Sequence, residues 1–169
     1  MTRSGYSDEC DGWALIRWRG AVTSAMRGKR GQAMLRELVE ALDALPEKRL
    51  VADSLATPAG DCCALGALGL ARGLDMGPID PEDRSAVAHA FGVAEALAAE
   101  VMFKNDECAA NDWRTVLVDV CGPMRPHYPD FGSHSRSVRI RNEHAAEQRW
   151  EYMRGWAVAK LVPQTGGGR

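Results

Sequence analysis

Residues 34–46 read MLRELVEALDALP and carry the clearest helical pattern in the chain. Apolar side chains recur there every three or four positions, at Met34, Leu35, Leu38, Leu42 and Leu45. This spacing places them on one face of an α-helix. Pro46 lacks the amide hydrogen that a further helical turn needs, so the helix should end there. The stretch therefore predicts an amphipathic helix whose apolar face lies in a helical core.

The same period extends to both sides of this stretch. Upstream, Asp11 is suited to cap a helix that ends at Gly28. Downstream, we predict four more helices, at residues 63–73, 80–91, 93–105 and 142–162. Asp80 is the expected N-cap of the second of these and Pro81 its first residue, while Asn142 opens the last. The large side chains expected in the core are Trp18, Leu38, Leu42, Trp150 and Trp156.

Two segments in the C-terminal third have the composition of β-strands. Residues 115–120 are rich in β-branched side chains, and residues 137–141 alternate apolar and polar positions. The segment between them, 121–135, is rich in proline, glycine and aromatic residues. Together they predict a β-hairpin with a long connecting loop. Residues 50–55 and the turn at 57–61 indicate two further short strands.

These elements predict an α+β fold that is mainly α, a compact helical domain with a long-looped β-hairpin near the C-terminal third. One globular domain is expected over residues 11–162, between a loose N-terminus (1–10) and a flexible Gly-rich tail (163–169). A length of 169 residues suits one domain of ordinary size. Hydrophobic residues make up 46% of the chain and charged residues 26%, which is typical of a globular protein.

The charged residues are unevenly distributed, although the formal net charge is only −2. Residues 51–112 carry 11 acidic and 3 basic side chains, whereas residues 113–169 carry 9 basic and 5 acidic ones. Such segments attract one another within a fold, and an acidic segment can also steer a charged partner. The first ten residues lack the apolar run of a signal peptide, and no stretch approaches the roughly 18 apolar residues of a membrane span. We therefore expect a cytoplasmic protein without membrane contact.

The cysteine content gives little support for a metal site. The five cysteines are Cys10, Cys62, Cys63, Cys108 and Cys121. No two of them form a C-x-x-C pair, and reduced thiols are the expectation for a protein without a secretory signal. Cys121, His127 and His134 are the candidate metal ligands, but they lack the closely spaced pairs that zinc sites show. We therefore expect no metal and no cofactor, and catalysis is not the favoured activity.

The pattern around Gly92, with Ala88 four residues before it, has the spacing of a helix-turn-helix corner. A DNA-binding motif of this kind must expose base- or phosphate-contacting side chains on its second helix. The positions expected to be exposed there are Ala94, Glu95, Ala99 and Glu100. Carboxylates at such positions repel phosphates, so a corner used for packing is favoured.

Two other sets of residues are candidates for binding. The proline-rich loop supplies aromatic and cationic side chains of the kinds enriched in protein interfaces. Its candidate contacts are Arg125, His127, Tyr128 and Phe131. An equal alternative is that Tyr128 and Phe131 fold this loop back over the core. A basic set near the N-terminus is the alternative, and it would contact nucleic acid. Its members are Arg17, Arg19, Arg27, Lys29 and Arg30.

Several short motifs together resemble a group of small, uncharacterised proteins of tailed phages and prophages of Gram-negative bacteria. The motifs are RGKRGQ at 27–32, ALDALPEKRL at 41–50, CALGA at 63–67, DPED at 80–83, NDE at 105–107 and RWEYMR at 149–154. The resemblance spans about residues 5–161 and implies expression inside an infected bacterium. Phage proteins of this size often bind and block a host complex, and this step is an analogy.

The leading hypothesis is therefore a phage-encoded binding protein that inhibits or redirects a host macromolecular complex, including anti-defence (anti-CRISPR-like) action. Its partner would be a host protein or ribonucleoprotein complex in the host cytoplasm. The first alternative is a nucleic-acid-associated accessory protein, although nucleic acid is not the favoured partner. The second is a small metal-dependent enzyme. The sequence leaves the identity of the partner and the oligomeric state open.

Overall fold

The computed structural model of the protein describes residues 12–121 and 133–163. These residues form six α-helices and one β-hairpin. The helices are α1 (Gly12–Arg27), α2 (Lys29–Ala44), α3 (Ala64–Ala71), α4 (Arg84–Phe91), α5 (Glu95–Phe103), which continues as a π-helical turn (Lys104–Cys108), and α6 (Ala145–Ala159). The strands are β1 (Trp113–Cys121) and β2 (Ser133–Arg141). The predicted α+β class, mainly α with a C-terminal hairpin, is confirmed.

The chain divides into two compact units. The helical unit extends as far as Ala110 and resumes at Ala146, and the hairpin unit consists of Asn111–Ala145. In the hairpin unit the two strands pair antiparallel over their full length, from Trp113 opposite Arg141 to Cys121 opposite Ser133. Its two ends are joined by the Asn142 amide, which donates to the carbonyl of Asp112 at 2.8 Å.

Helix α2 supplies a large part of the core of the helical unit. Its predicted apolar face is buried, and Leu35, Leu38 and Leu42 have no solvent exposure. The face packs on α1 and α3, and burial of a leucine side chain typically stabilises a fold by about 1.5–3 kcal/mol. The helix ends before Pro46, as expected.

Two of the five residues expected in the core lie at its edge instead. Trp18 and Trp150 pack against the core but stay partly exposed. Trp150 donates its indole N–H to the carbonyl of Leu42 at 3.0 Å, and the guanidinium carbon of Arg84 lies 5.9 Å from the Trp18 ring. For Trp150, the edge position gives the polar atom of the indole ring a hydrogen-bond acceptor. The other three expected residues are buried.

The two short strands expected around residues 57–61 are absent from the described structure. A single isolated bridge between Ala56 and Cys62 stands in their place. The turn closes by a bond from the Thr57 amide to the carbonyl of Asp61 at 2.8 Å. Helix α3 begins directly afterwards, with the Cys63 sulfur accepting from the amide of Gly66 at 3.5 Å, so no residues are left for a second strand.

Gly66 is the point of closest backbone approach in the helical unit. A Cβ atom added there would lie 1.8 Å from the carbonyl oxygen of Leu55 and 2.9 Å from the Cβ of Cys62. Distances this short are well inside van der Waals contact. The glycine therefore allows α3 to lie against the chain that leads into it.

The N-cap predicted for α4 at Asp80 was wrong. The helix begins three residues later than predicted, at Arg84, and the Asp83 carboxylate accepts from the amides of Ser85 and Ala86 at 2.9 and 3.0 Å. The carboxylate of Asp80 accepts instead from the amide of Glu82 at 2.9 Å, closing a turn over Pro81. Both aspartates suit a cap by composition, and the turn leaves only the second in position to cap.

Asn142 likewise precedes the last helix without opening it. Its carboxamide oxygen accepts from the amide of His144 at 3.3 Å, and its backbone carbonyl accepts from the amide of Ala145 at 3.1 Å. These bonds form a turn, and α6 starts after it at Ala145. Within the helix, Met153, Trp156 and Ala157 are buried.

A buried arginine of α6 holds three separated chain segments together. Arg149 is 3% exposed. Its guanidinium donates to the carbonyls of Leu50 at 3.0 Å, Asn105 at 3.1 Å and Ala110 at 2.8 Å. These carbonyls belong to the connection after α2, the π-helical turn and the end of the helical unit's first segment. Arg149 thus satisfies three acceptors that have little or no access to water.

The side chain of Asn105 extends the same network. It is 1% exposed. Its oxygen accepts from the amide of Ala64 at 3.1 Å, and its nitrogen donates to the carbonyl of Val51 at 2.9 Å. The nitrogen also donates to the Asp106 carboxylate at 2.7 Å. This carboxylate in turn accepts from the amide of Asp53 at 3.2 Å. Hydrogen bonds to Val51, Asp53 and Ala64 therefore hold the π-helical turn in place.

Within residues 12–121 and 133–163, no single helix has both the length and the apolar character of a membrane span. Helix α4 and the helix formed by α5 with its π-helical turn have this length and apolar character only when they are taken together, and that pair is bent by 107°.

Candidate binding surfaces

The hairpin is the part of the described structure that adjoins the predicted contact loop. The interface candidates Arg125, His127, Tyr128 and Phe131 lie between its strands, outside the described residues. Their role as interface contacts therefore stays a prediction. The two strands that carry this segment are described, and their side chains can be examined directly.

One face of the hairpin combines aromatic, aliphatic and cationic side chains, and we call it the Trp113 face. On β1 it includes Trp113, Thr115 and Leu117, which pair with Arg141, Arg139 and Ser137 of β2. All six residues are exposed. Trp113 is 52% exposed and Leu117 75% exposed. Large apolar side chains this open to water are among the residue types that mark binding surfaces when they cluster.

A cation and an aromatic ring are already in contact on the Trp113 face. The guanidinium carbon of Arg139 lies 5.7 Å from the centroid of the Trp113 ring. Arg141 is the direct cross-strand partner of Trp113, and such partners have Cβ atoms about 5 Å apart. Farther along, the Ser135 hydroxyl donates to the Asp119 carboxylate at 2.7 Å. The cationic end of this face is therefore separate from its single carboxylate.

The opposite face of the hairpin has an aliphatic centre with a cation at each end. Val116 and Val138 are paired and partly buried, while Val118 is 41% exposed. Arg114 and Arg136 lie diagonally across this centre, and both are exposed. The two strands thus carry four exposed arginines and one aspartate, with cations on both faces.

None of these four arginines is ion-paired with a carboxylate in the described part of the chain. The arginines in question are Arg114, Arg136, Arg139 and Arg141. Their charge is therefore available to an anionic partner.

The basic set predicted near the N-terminus is exposed but does not form one surface. Arg17 and Arg19 are two positions apart on α1, which separates them by roughly 200° around the helix. Arg27, Lys29 and Arg30 lie at the turn between α1 and α2, and all are exposed. The structure therefore brings three of the five together and leaves Arg17 and Arg19 on different sides of α1.

A groove of about 550 Å³ lies beside this turn. Lys29 and Arg30 line it together with His89 of α4. Helices α2 and α5 begin at its wall, and their N-cap residues Gly28 and Ala94 make no side-chain capping bond. The groove has a basic character, but the cations that line it are exposed and no buried polar group points into it.

The corner at Gly92 serves packing, as expected, although two positions predicted to be exposed are not. Gly92 adopts a left-handed conformation, with φ of 66°, and ends α4. In α5, Ala99 and Glu100 are buried because the helix packs against α1, α3 and α4. Glu95 is exposed and pairs with Arg84 at 3.7 Å. The second helix therefore offers no free face of the kind that reads DNA.

The described residues contain no group of three potential ligands placed to hold a metal ion. Of the predicted ligands, His127 lies outside the described residues, as do the side chains of Cys121 and His134. The prediction that this set does not bind a metal therefore stays untested. The metal-dependent enzyme also stays an untested alternative.

The cysteines of the helical unit differ in exposure. Cys62 and Cys63 are buried, and Cys108 is partly exposed. Burial, the neighbouring Cys63 thiol and the Asp61 carboxylate raise the pKa of Cys62 to about 11. Since the thiolate is the reactive form, the Cys62 thiol is held unreactive at neutral pH. Cys108 accepts a hydrogen bond from the Lys104 ammonium at 3.6 Å.

Sequence reasoning missed the aromatic and cationic face of the hairpin strands. It began the first strand at residue 115 and so left Trp113 out. Arginines at 139 and 141, with an intervening apolar residue, were a signal that one face of β2 is cationic. Trp113 could have been assigned to that face only once the register was known.

No protein-family model, curated protein or solved structure matches this chain.

Proposed function

We propose that this protein binds a macromolecular complex of the bacterial host through its hairpin, and thereby inhibits or redirects that complex. The proposal includes a phage origin, action in the host cytoplasm and an anti-defence role. The single observation that supports the binding function is the exposure of Trp113, Leu117 and Val118 on two strands that also carry four exposed arginines.

A two-stranded ribbon gains stability when another surface covers its apolar side chains. An isolated hairpin is marginally stable in water. Apolar side chains left exposed on it contribute no burial energy until another surface covers them. Tryptophan and arginine are also the residue types that contribute most to binding free energy in interfaces. A partner that covers the Trp113 face would therefore gain both apolar burial and charge pairing.

A ribonucleoprotein complex suits this composition better than an uncharged protein surface. Its protein component can cover Leu117, and its nucleic acid supplies anions for the unpaired arginines. The resemblance to proteins of tailed phages supports the host context by analogy only.

The test compares two exposed leucines, one in each unit. Leu117→Ser should reduce recovery of the partner from a Gram-negative host lysate about thirtyfold, because truncating an interface anchor typically costs 2 kcal/mol or more of binding. Leu70→Ser is the matched control, since Leu70 is 52% exposed on α3. It should leave recovery unchanged. Thermal melts of both variants should match that of the wild type.

The same two variants can also contradict the proposed function. If Leu117→Ser recovers the same partner as the wild type, with both proteins folded, the hairpin is not the contact surface and the proposed function fails.

A further inference from the structure

We infer that the Trp113 face of the hairpin binds single-stranded nucleic acid, with Trp113 stacking on a base and Arg139 and Arg141 contacting the adjacent phosphates. The inference rests on the proposed function, because it names the chemistry of the partner at the same hairpin. It assigns nucleic-acid contact to β1 and β2 and not to the basic turn between α1 and α2.

Trp113, Arg139 and Arg141 lie close together on one face of the hairpin. Trp113 and Arg141 are a cross-strand pair, and Arg139 pairs with Thr115, two residues along β1. Residues two apart on a strand lie on the same face and about 7 Å apart. The indole and both guanidiniums therefore lie within reach of a single nucleotide and its neighbour.

The Trp113 ring is exposed and also in contact with a cation. Arg139 lies against the Trp113 ring at 5.7 Å, and 52% of the tryptophan remains exposed. Proteins that bind single strands without strict sequence preference use exposed aromatic rings as platforms for bases, together with cation–π contacts from arginine. The pair on this face has both parts of that arrangement.

Hydroxyl groups that can donate hydrogen bonds lie beside the arginines. The hydroxyls of Thr115 and Ser137 are on the same face, and both residues are exposed. Neither hydroxyl has a hydrogen-bond partner in the described part of the chain. Hydroxyl and arginine donors together are the groups that usually contact phosphate and sugar. The nearest carboxylate on the face, Asp119, is already bonded to the Ser135 hydroxyl.

The exposed ring favours a single strand over a duplex. Bases in a duplex are stacked on one another, so an aromatic side chain reaches a base face only where the strand is unpaired. The arginines alone would bind any polyanion, and Trp113 supplies the preference. An acidic protein surface is the competing occupant, and it would use the arginines without needing the stack.

The experiment measures fluorescence anisotropy of labelled 12-nucleotide single strands with the full chain, using DNA and RNA of one sequence and the matching DNA duplex. Arg139→Glu with Arg141→Glu should weaken single-strand binding at least tenfold. If this double variant lacks two of the wild-type phosphate contacts, the slope of the logarithm of the association constant against log salt should become shallower by about 1.4. Trp113→Ala should weaken binding about tenfold, and Trp113→Phe should restore most of it.

The control carries the same change of charge on the helical unit. Arg17→Glu with Arg19→Glu replaces two exposed arginines of α1 and should leave single-strand binding within twofold of the wild type. Equal losses from both double variants, or binding of the duplex as tight as that of the single strand, would overturn the inference.

Two outcomes separate a failure of nucleic-acid binding at the Trp113 face from a failure of the proposed function. If Leu117→Ser loses the host partner while the wild type binds no oligonucleotide, and nuclease treatment of the lysate leaves recovery unchanged, the hairpin binds protein and only the inference is lost. If the oligonucleotide results hold but Leu117→Ser retains the host partner, the proposed function is lost and the nucleic-acid surface remains.

Discussion

Replacing Arg149 by alanine is expected to lower the free energy of unfolding by about 4 kcal/mol. Arg149 is 3% exposed, and its guanidinium donates to three backbone carbonyls. Each buried acceptor left without a donor costs about 1–3 kcal/mol, and the removed side chain also leaves a cavity. Water that enters the cavity would recover part of this cost, which keeps the expected loss below the simple sum.

Urea denaturation measures this effect, and Arg154→Ala is the control. Arg154 is on the same helix and forms a surface pair with Asp43, at 2.5 and 2.9 Å. Surface pairs contribute little to stability because water solvates both partners, so this variant should have the wild-type midpoint. If Arg149→Ala and Arg154→Ala have the same midpoint, Arg149 does not hold the three segments together.

Replacing Gly66 by alanine is expected to destabilise the protein by about 3 kcal/mol or more. The new Cβ would lie 1.8 Å from the backbone oxygen of Leu55, and a backbone atom cannot move aside as a flexible side chain can. Overpacking of a core typically costs 1–3 kcal/mol, and a contact with fixed backbone belongs at the upper end of that range or beyond it.

Gly155→Ala is the matched control for this substitution. Gly155 is also within a helix, and a Cβ atom there would meet nothing within 4 Å. Alanine is favoured over glycine inside a helix by up to about 1 kcal/mol, so this variant should be slightly more stable than the wild type. A stable Gly66→Ala variant would show that α3 and the segment before it can separate without cost.

The helices and the hairpin were predictable because each depends on local pattern. The steps between Leu35, Leu38 and Leu42 specify a buried face wherever the helix packs. The alternation through residues 137–141 likewise specifies a strand. The N-cap of α4 was missed because Asp80 and Asp83 satisfy the same local rule, and only the hydrogen bonds of the folded turn distinguish them.

Features that depend on distant segments could not be predicted in this way. Glu100 looks like a solvated helix position, and its burial follows from the three helices that surround α5. The role of Arg149 depends on carbonyls as far away as Leu50, 99 residues earlier in the sequence. The Trp113 face depends on a register that places Trp113 opposite Arg141, and a shift of one residue would move these side chains to opposite faces.

Amide hydrogen exchange of the full chain shows whether the hairpin strands are the contact surface. Exchange would be measured with and without the host complex that the wild-type protein captures. We expect added protection concentrated in β1 and β2, with the amides of α2 and α3 unchanged because they are already buried in the helical core. Protection confined to the helical unit, with exchange in both strands unaltered by the complex, would contradict it.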